Sequence, residues 1–198
     1  MATYVITIGG STKVFQSESL SISATANGVD TLSGEVYSAN ASYRPALDDE
    51  IIVTEDAVRI FGGTITGVTE VGFGGVGLTA IVNRISASDF NGIALRRYVN
   101  ETLAAGTLKS MLTTLVANYL TSYGVTLHAS QANGATLAAA TFEYRRVDEV
   151  LNDLAAATGW VWEIDYSKVL RMKAPGADAA PFDCIENDGN AIGDIEIE

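Results

Sequence analysis

The sequence of 198 residues has only one cysteine, Cys184, and one histidine, His128. A single cysteine cannot form a disulfide within the chain, which fits synthesis in a reducing cytosol. One histidine and one cysteine are too few for the usual zinc sites, so we expect no bound metal. A Ser-His-Asp triad would have to use His128, and a position on the surface or at a strand edge is the favoured alternative.

Basic residues are also scarce. Twelve Lys and Arg stand against 24 Asp and Glu, which gives a formal net charge of −12. Proteins bind nucleic acids and anionic membranes mainly through Lys and Arg side chains. This composition therefore argues against stable binding to either. Two interpretations of the charge stay open: a surface that keeps the protein soluble, or an acidic wall that lines a passage for DNA and repels it.

Long apolar runs are missing as well. No continuous run approaches 18 residues, and the first residues lack a basic segment followed by an apolar core. We therefore expect neither a membrane span nor a secretory signal. The hydrophobic content of 47% is sufficient for a core, and the length suits one large domain or two small ones.

Residues 1–86 show the period of two that is typical of β-strands. Leu32, Gly34 and Val36, for example, alternate with polar residues, and turn signals such as Gly9-Gly10 separate the short runs. Seven or eight short strands of this kind indicate a closed barrel or a sandwich. We predict an antiparallel β-barrel domain over residues 1–86.

Residues 87–145 change to a helical period, which predicts a small α/β domain with one long amphipathic helix. Thr107 is a suitable N-cap and Gly124 a suitable residue to end the helix. Residues 137–144 stay open between loop and strand. The apolar positions of the predicted helix are Leu108, Met111, Leu112, Leu115, Val116, Tyr119 and Leu120.

Residues 146–198 begin with a second amphipathic helix from Val147 to Ala155, followed by Gly159 as its stop. A β-hairpin follows, with its turn at residues 165–167. The last predicted strand, residues 193–198, alternates isoleucines with carboxylates, so its apolar face needs cover.

Three segments in this order resemble hub proteins at the tip of bacteriophage tails: residues 42–68, 91–120 and 141–173. The relatives of these hubs include the late-control proteins of contractile tails. The resemblance implies an α+β, mainly β fold, in which a tube-like barrel (1–86) and a small α/β domain (87–145) precede the start of a second barrel (146–198). Such hubs continue past this point, so the chain is either a fragment or a minimal hub.

The resemblance also implies a role and partners. Hub subunits form homotrimeric rings that cap the tail tube and adapt it to the distal tail machinery, with DNA passing through. The expected neighbours are the tail tube, the distal tail protein, the tape measure and a tail fibre or spike. The protein would be part of the virion after synthesis in the host cytoplasm. We expect no enzyme activity and no cofactor, and we assign no catalytic, cofactor-binding or metal residue.

Two other functions stay open. A carbohydrate- or receptor-binding β module would use exposed aromatic residues such as Tyr37, Tyr43 and Phe73. A tail-associated cell-wall hydrolase would need two carboxylates at the correct separation, which a sequence does not give. Trp160 and Trp162 could form a sugar platform, but a place in the core is favoured for both.

The polar clusters are better explained by turns than by ligands. Residues 48–50 are adjacent carboxylates without the spaced oxygen ligands of a calcium loop, and Asn187, Asp188 and Asn190 fail the same test. The glycine-rich residues 72–77 lack the helix and lysine of a phosphate loop. The basic pairs Arg96-Arg97 and Arg145-Arg146 indicate either ion pairing beside helices or docking onto an acidic neighbour.

Overall fold

The computed structural model describes residues 3–24, 28–38, 43–72 and 81–177. Its first half is an antiparallel sheet in the order β2-β1-β5-β6-β7-β4, and β2 also pairs with β4, so six strands close into a barrel. The prediction of a mainly β fold with an antiparallel barrel is confirmed. The strands of this half are β1 (Tyr4–Ile8), β2 (Ser11–Phe15), β3 (Ser21–Ser23, added beside β4), β4 (Thr31–Ser38), β5 (Glu50–Glu55), β6 (Val58–Gly72) and β7 (Ile81–Asp89).

Apolar side chains fill the barrel. In β4, Leu32, Gly34 and Val36 are buried and alternate with exposed or half-buried neighbours, as predicted. Because apolar side chains pack the interior in this way, the described part of the barrel is not itself a channel. Its core consists of Ile6, Ile8, Leu32, Val36, Ile51, Val53, Phe61, Ile65, Ile85 and Ala87.

The second half combines three helices with short strands. Strands β8 and β12 pair with each other, β9 pairs with β11, and β14 lies between β10 and β13. The open segment 137–144 falls largely in β12. The elements are α1 (Asn91–Leu95), β8 (Tyr98–Leu103), β9 (Gly106–Thr107), α2 (Leu108–Leu115), β10 (Thr126–Leu127), β11 (Thr136–Leu137), β12 (Ala140–Arg146), α3 (Val147–Thr158), β13 (Val161–Ile164) and β14 (Val169–Lys173).

The predicted helix over residues 108–120 has the predicted ends but not a uniform geometry. Thr107 Oγ1 accepts a hydrogen bond from the Ser110 amide, and Gly124 adopts φ 79°. The α-helical part, however, ends at Leu115, and residues 116–120 form a π-helical turn. The Thr121 amide and hydroxyl both donate to the Val116 carbonyl, which holds the wider turn in place.

The second core joins α2, α3 and the β13–β14 hairpin. Helix α3 buries Val147, Val150, Leu151 and Leu154, and Gly159 ends it at φ 69°, as predicted. These side chains belong to the same buried cluster as those of α2. One core thus contains residues from both sides of the boundary predicted between the second and third domains, at residues 145 and 146. The division into three domains stays a prediction.

Candidate functional site

A row of apolar side chains crosses the outer face of the barrel. Val5, Val14 and Tyr37 are 37%, 72% and 41% exposed. Val14 pairs with Tyr37, and continuing the β1–β2 register places Val5 opposite Val14. Residues opposite each other on neighbouring strands project from the same face, so the three side chains form one surface, here called the outer row.

Charged groups beside the outer row already have partners. Arg84 Nε donates to Glu35 Oε1 at 2.7 Å, two residues along β4 from Tyr37. Near Val5, the Tyr4 hydroxyl donates to Glu55 Oε1 at 2.6 Å, and this bond is the main reason that the pKa of Tyr4 is raised. A contiguous apolar row with a polar rim of satisfied charges is the usual composition of a protein contact surface.

A second notable contact joins the two halves of the chain. The Tyr166 hydroxyl, in the β13–β14 turn, donates to Asp30 Oδ2 at 2.6 Å, and Arg59 donates to the Tyr166 carbonyl at 2.6 Å. Burial and the bond to Asp30 raise the pKa of Tyr166. The ring lies 5.7 Å from that of Phe61, and Gly62 leaves room for the turn. The sequence predicted only a turn here.

The carboxylates of residues 48–50 point to three different partners. Asp48 pairs with Arg96, Glu50 pairs with Lys168, and Asp49 Oδ2 accepts from the Ala46 amide at 2.9 Å. In the described ranges, no three His, Cys, Asp or Glu side chains stand close enough to hold a metal ion.

The two basic pairs are engaged within the chain. Arg145 contacts Glu149 and Asp153, which raises the pKa of Arg145 and lowers that of Glu149. Arg146 contacts Asp148 at 3.0 Å. Arg97 lies over the Tyr123 ring at 4.2 Å. These contacts favour the ion-pairing interpretation over docking through free arginines.

The remaining predicted candidates occupy structural positions. His128 lies at a strand edge: its amide donates to Leu170, and its Nδ1 accepts from the Ser130 amide at 3.2 Å. Trp160 and Trp162 pack against the second core, and Tyr43 is half-buried with Lys13 over its ring. Several candidates lie outside the described residues: Phe73 and residues 74–77, Cys184, Asn187, Asp188, Asn190 and residues 193–198.

Buried Gln131 is a residue that the sequence interpretation missed. Its Nε2 donates to the Met172 carbonyl at 2.7 Å, and its Oε1 accepts from the Met172 amide at 3.0 Å. The side-chain amide of Gln131 thereby makes the two hydrogen bonds to β14 that the backbone of a neighbouring strand would make. Its position in a turn-like polar run gave no sign of this role.

Buried Asp89, at the end of β7, is the second missed residue. Its Oδ2 accepts from Asn91 Nδ2 at 2.9 Å, whereas Oδ1 has no partner among the described residues. Burial is the main cause that raises the pKa of this carboxyl from 3.8 to about 6; a backbone hydrogen bond from Asp30 lowers the pKa, and the negative charge of Asp30 raises it.

We predict that Asp89→Asn stabilises the protein at pH 7 but not at pH 4. The native state binds more protons than the unfolded chain between pH 4 and 6, so the contribution of Asp89 to stability falls as the pH rises through this range. The unfolding free energy of the variant should exceed that of the wild type by about 1–2 kcal/mol at pH 7. Urea unfolding at both pH values measures this, and an advantage that does not change with pH would contradict it.

Comparison with solved structures places this geometry among known folds. The structure matches that of a 43 kDa tail protein of prophage MuSo2 from Shewanella oneidensis with a TM-score of 0.69 and 14% identity, over 88% of this chain and 56% of that one. The chain has the fold of phage tail proteins. The resemblance noted in the sequence is thereby confirmed at the level of the fold.

Two further matches agree. A tail protein of Neisseria meningitidis aligns with a TM-score of 0.63 and 17% identity, over 86% of this chain and 50% of that one. A type VI secretion system component of Escherichia coli, itself structurally similar to tail proteins of phage T4, gives a TM-score of 0.52 and 10% identity, over 87% of this chain and 44% of that one.

The chain spans about half the length of the structures that it matches. No protein-family model matches the sequence, and no curated protein sequence matches it either. Of the helices in the described ranges, none is long and apolar enough to cross a membrane.

Proposed function

We propose that this protein is a structural subunit of a phage tail tip or baseplate hub. The observation that carries the proposal is a closed barrel with the fold of tail proteins, on whose outer face the outer row is exposed. In this role three copies form a ring that caps the tail tube, contacts the distal tail protein, tape measure and fibre or spike, and lets DNA pass.

The outer row provides the contact surface for this ring. Val14 and Tyr37 provide apolar area at the centre, and the charges around them already have partners, so a contact here leaves few charges to desolvate. Each interface should bury at least about 1,000 Å² in total, as specific contacts do. At −12 per chain the copies repel one another, so added salt should strengthen assembly.

The proposal includes the absence of enzyme activity. Its support is chemical: the carboxylates of residues 48–50 are held by separate partners, and His128 makes a local backbone contact. Neither arrangement positions a general base beside a nucleophile. Purified protein should leave cell walls intact in a zymogram.

The outer row is tested by Val14→Asp. A carboxylate in the centre of an apolar contact would be desolvated, so we expect the variant to form at least tenfold less trimer than the wild type. Mass photometry of the purified chain at several salt concentrations measures this. Val58→Asp is the matched control, because Val58 is similarly exposed at 66% but lies in the β5–β6 hairpin outside the outer row.

Three results would overturn this proposal. They are a wild-type chain that stays monomeric at high salt, equal loss of trimer in both variants, or a particle map that places the chain away from the tail axis.

A further inference from the structure

A cavity of about 200 Å³ lies between the segment leading into β4 and the helices α1 and α3. Val29 and Leu95 provide apolar wall, and Trp162 lines it as well. Helix α3 contributes Asp148 and Asn152, which are four residues apart and therefore on one face of the helix. The cavity thus combines a carboxylate, an amide and an indole in apolar surroundings.

One oxygen of Asp148 has no partner. The residue is only 8% exposed, and its Oδ2 accepts from Arg146 Nη2 at 3.0 Å. Its Oδ1 is buried and accepts no hydrogen bond from any described residue. A buried carboxylate oxygen without a donor is unfavourable, so a donor that reaches this atom would stabilise the carboxylate.

The charges around the cavity also favour a cation. The first turns of α3 carry three negative charges, on Asp148, Glu149 and Asp153. The positive charges that pair with them are two, on Arg145 and Arg146. One negative charge is left in excess. The Asn152 Oδ1, which accepts from Trp162 Nε1 at 2.8 Å, adds a second acceptor next to the indole.

We propose that this cavity binds an arginine side chain supplied by another protein. A guanidinium carries five donors in one plane, so it can serve the Asp148 and Asn152 oxygens together, and it stacks on indole rings more readily than an ammonium group does. The volume is below the roughly 300–1,000 Å³ of small-molecule pockets, which fits one side chain rather than a cofactor.

The arginines of the chain itself are already engaged. Residues 25–27, 39–42, 73–80 and 178–198 contain no Lys or Arg. Each arginine of the chain has a contact within the chain, so a second copy would have to give up an existing contact to fill the cavity. That the occupant belongs to a neighbouring protein rests on the proposed function; the preference of the cavity for a guanidinium does not.

The test uses the ¹⁵N-labelled full chain titrated with Nα-acetyl-arginine amide, followed by NMR of the Trp162 indole N–H. We expect a saturable shift of this signal, with Trp160 as internal reference, and no shift with the neutral citrulline analogue. Asp148→Asn should weaken binding at least about tenfold, because the charged acceptor is lost. Glu143→Gln removes the same charge from an exposed position of β12 that does not line the cavity, and this variant should bind as the wild type does.

Several outcomes would overturn the proposal: no shift with the arginine amide, equal shifts with citrulline, or equal weakening in the two variants. The arginine and citrulline titrations use the wild-type protein, so they remain decisive even if Asp148→Asn unfolds. Failure here is also separable from failure of the proposed function, because trimer formation through the outer row is measured independently on Val14→Asp.

Discussion

Leu115→Ala should lower the unfolding free energy by about 2–5 kcal/mol, the range for large apolar side chains truncated in a packed core. Leu115 is fully buried at the end of α2, where the helix widens into its π-helical turn. Because it belongs to the cluster that also holds the apolar face of α3, the resulting cavity would weaken both helices. Urea unfolding followed by circular dichroism measures the loss.

Thr114→Ala is the matched control for this prediction. Thr114 is exposed one residue away on the same helix, and its hydroxyl donates a hydrogen bond to the Ser110 carbonyl in the preceding turn. Removing it should change stability by less than about 0.5 kcal/mol, as surface substitutions usually do. A loss for Leu115→Ala no larger than this would mean that α2 is not part of the core.

Local chemistry made the caps and strand faces predictable. The alternation of Leu32, Gly34 and Val36 required only the period of a strand, and Thr107 and Gly159 act within one turn of their own positions. The family resemblance, carried by three segments, favoured a barrel over a sandwich for the first half, and both the closed sheet and the fold comparison agree with it.

Contacts between distant residues were not predictable in the same way. Tyr166 and Asp30 are 136 residues apart, and Gln131 meets Met172 across 41. Nothing near these residues in the sequence marks them as partners, because the contact depends on how complete elements pack. The sequence named Tyr37 as an exposed aromatic residue but did not predict the outer row, because Val5, Val14 and Tyr37 come together only through strand register.

The second large effect is expected from Gly62→Ala. A Cβ atom at this position would lie 2.4 Å from the Tyr166 carbonyl oxygen and 3.0 Å from the Phe90 ring. Arg59 donates a hydrogen bond to the same Tyr166 carbonyl. If the β13–β14 turn moved away from the new methyl group, this hydrogen bond would be lost. We expect a loss of about 2–3 kcal/mol, at the upper end of what overpacking costs.

Gly67→Ala, on the same strand, separates this steric effect from the general effect of replacing a glycine. Its Cβ would meet Ser86 at 3.6 Å, an ordinary contact, so stability should change by less than about 0.5 kcal/mol. Equal losses at the two glycines would exclude the contact with Tyr166 as the cause.

A double-mutant cycle with Tyr166→Phe tests the mechanism of the Gly62 effect. If the added methyl group of Gly62→Ala displaces the β13–β14 turn, the bond from the Tyr166 hydroxyl to Asp30 is already lost in that variant. The double variant should then lose less stability than the sum of the two single variants, by at least about 0.5 kcal/mol. Additive losses would mean that the turn keeps its place and that the strain of Gly62→Ala is absorbed within β6.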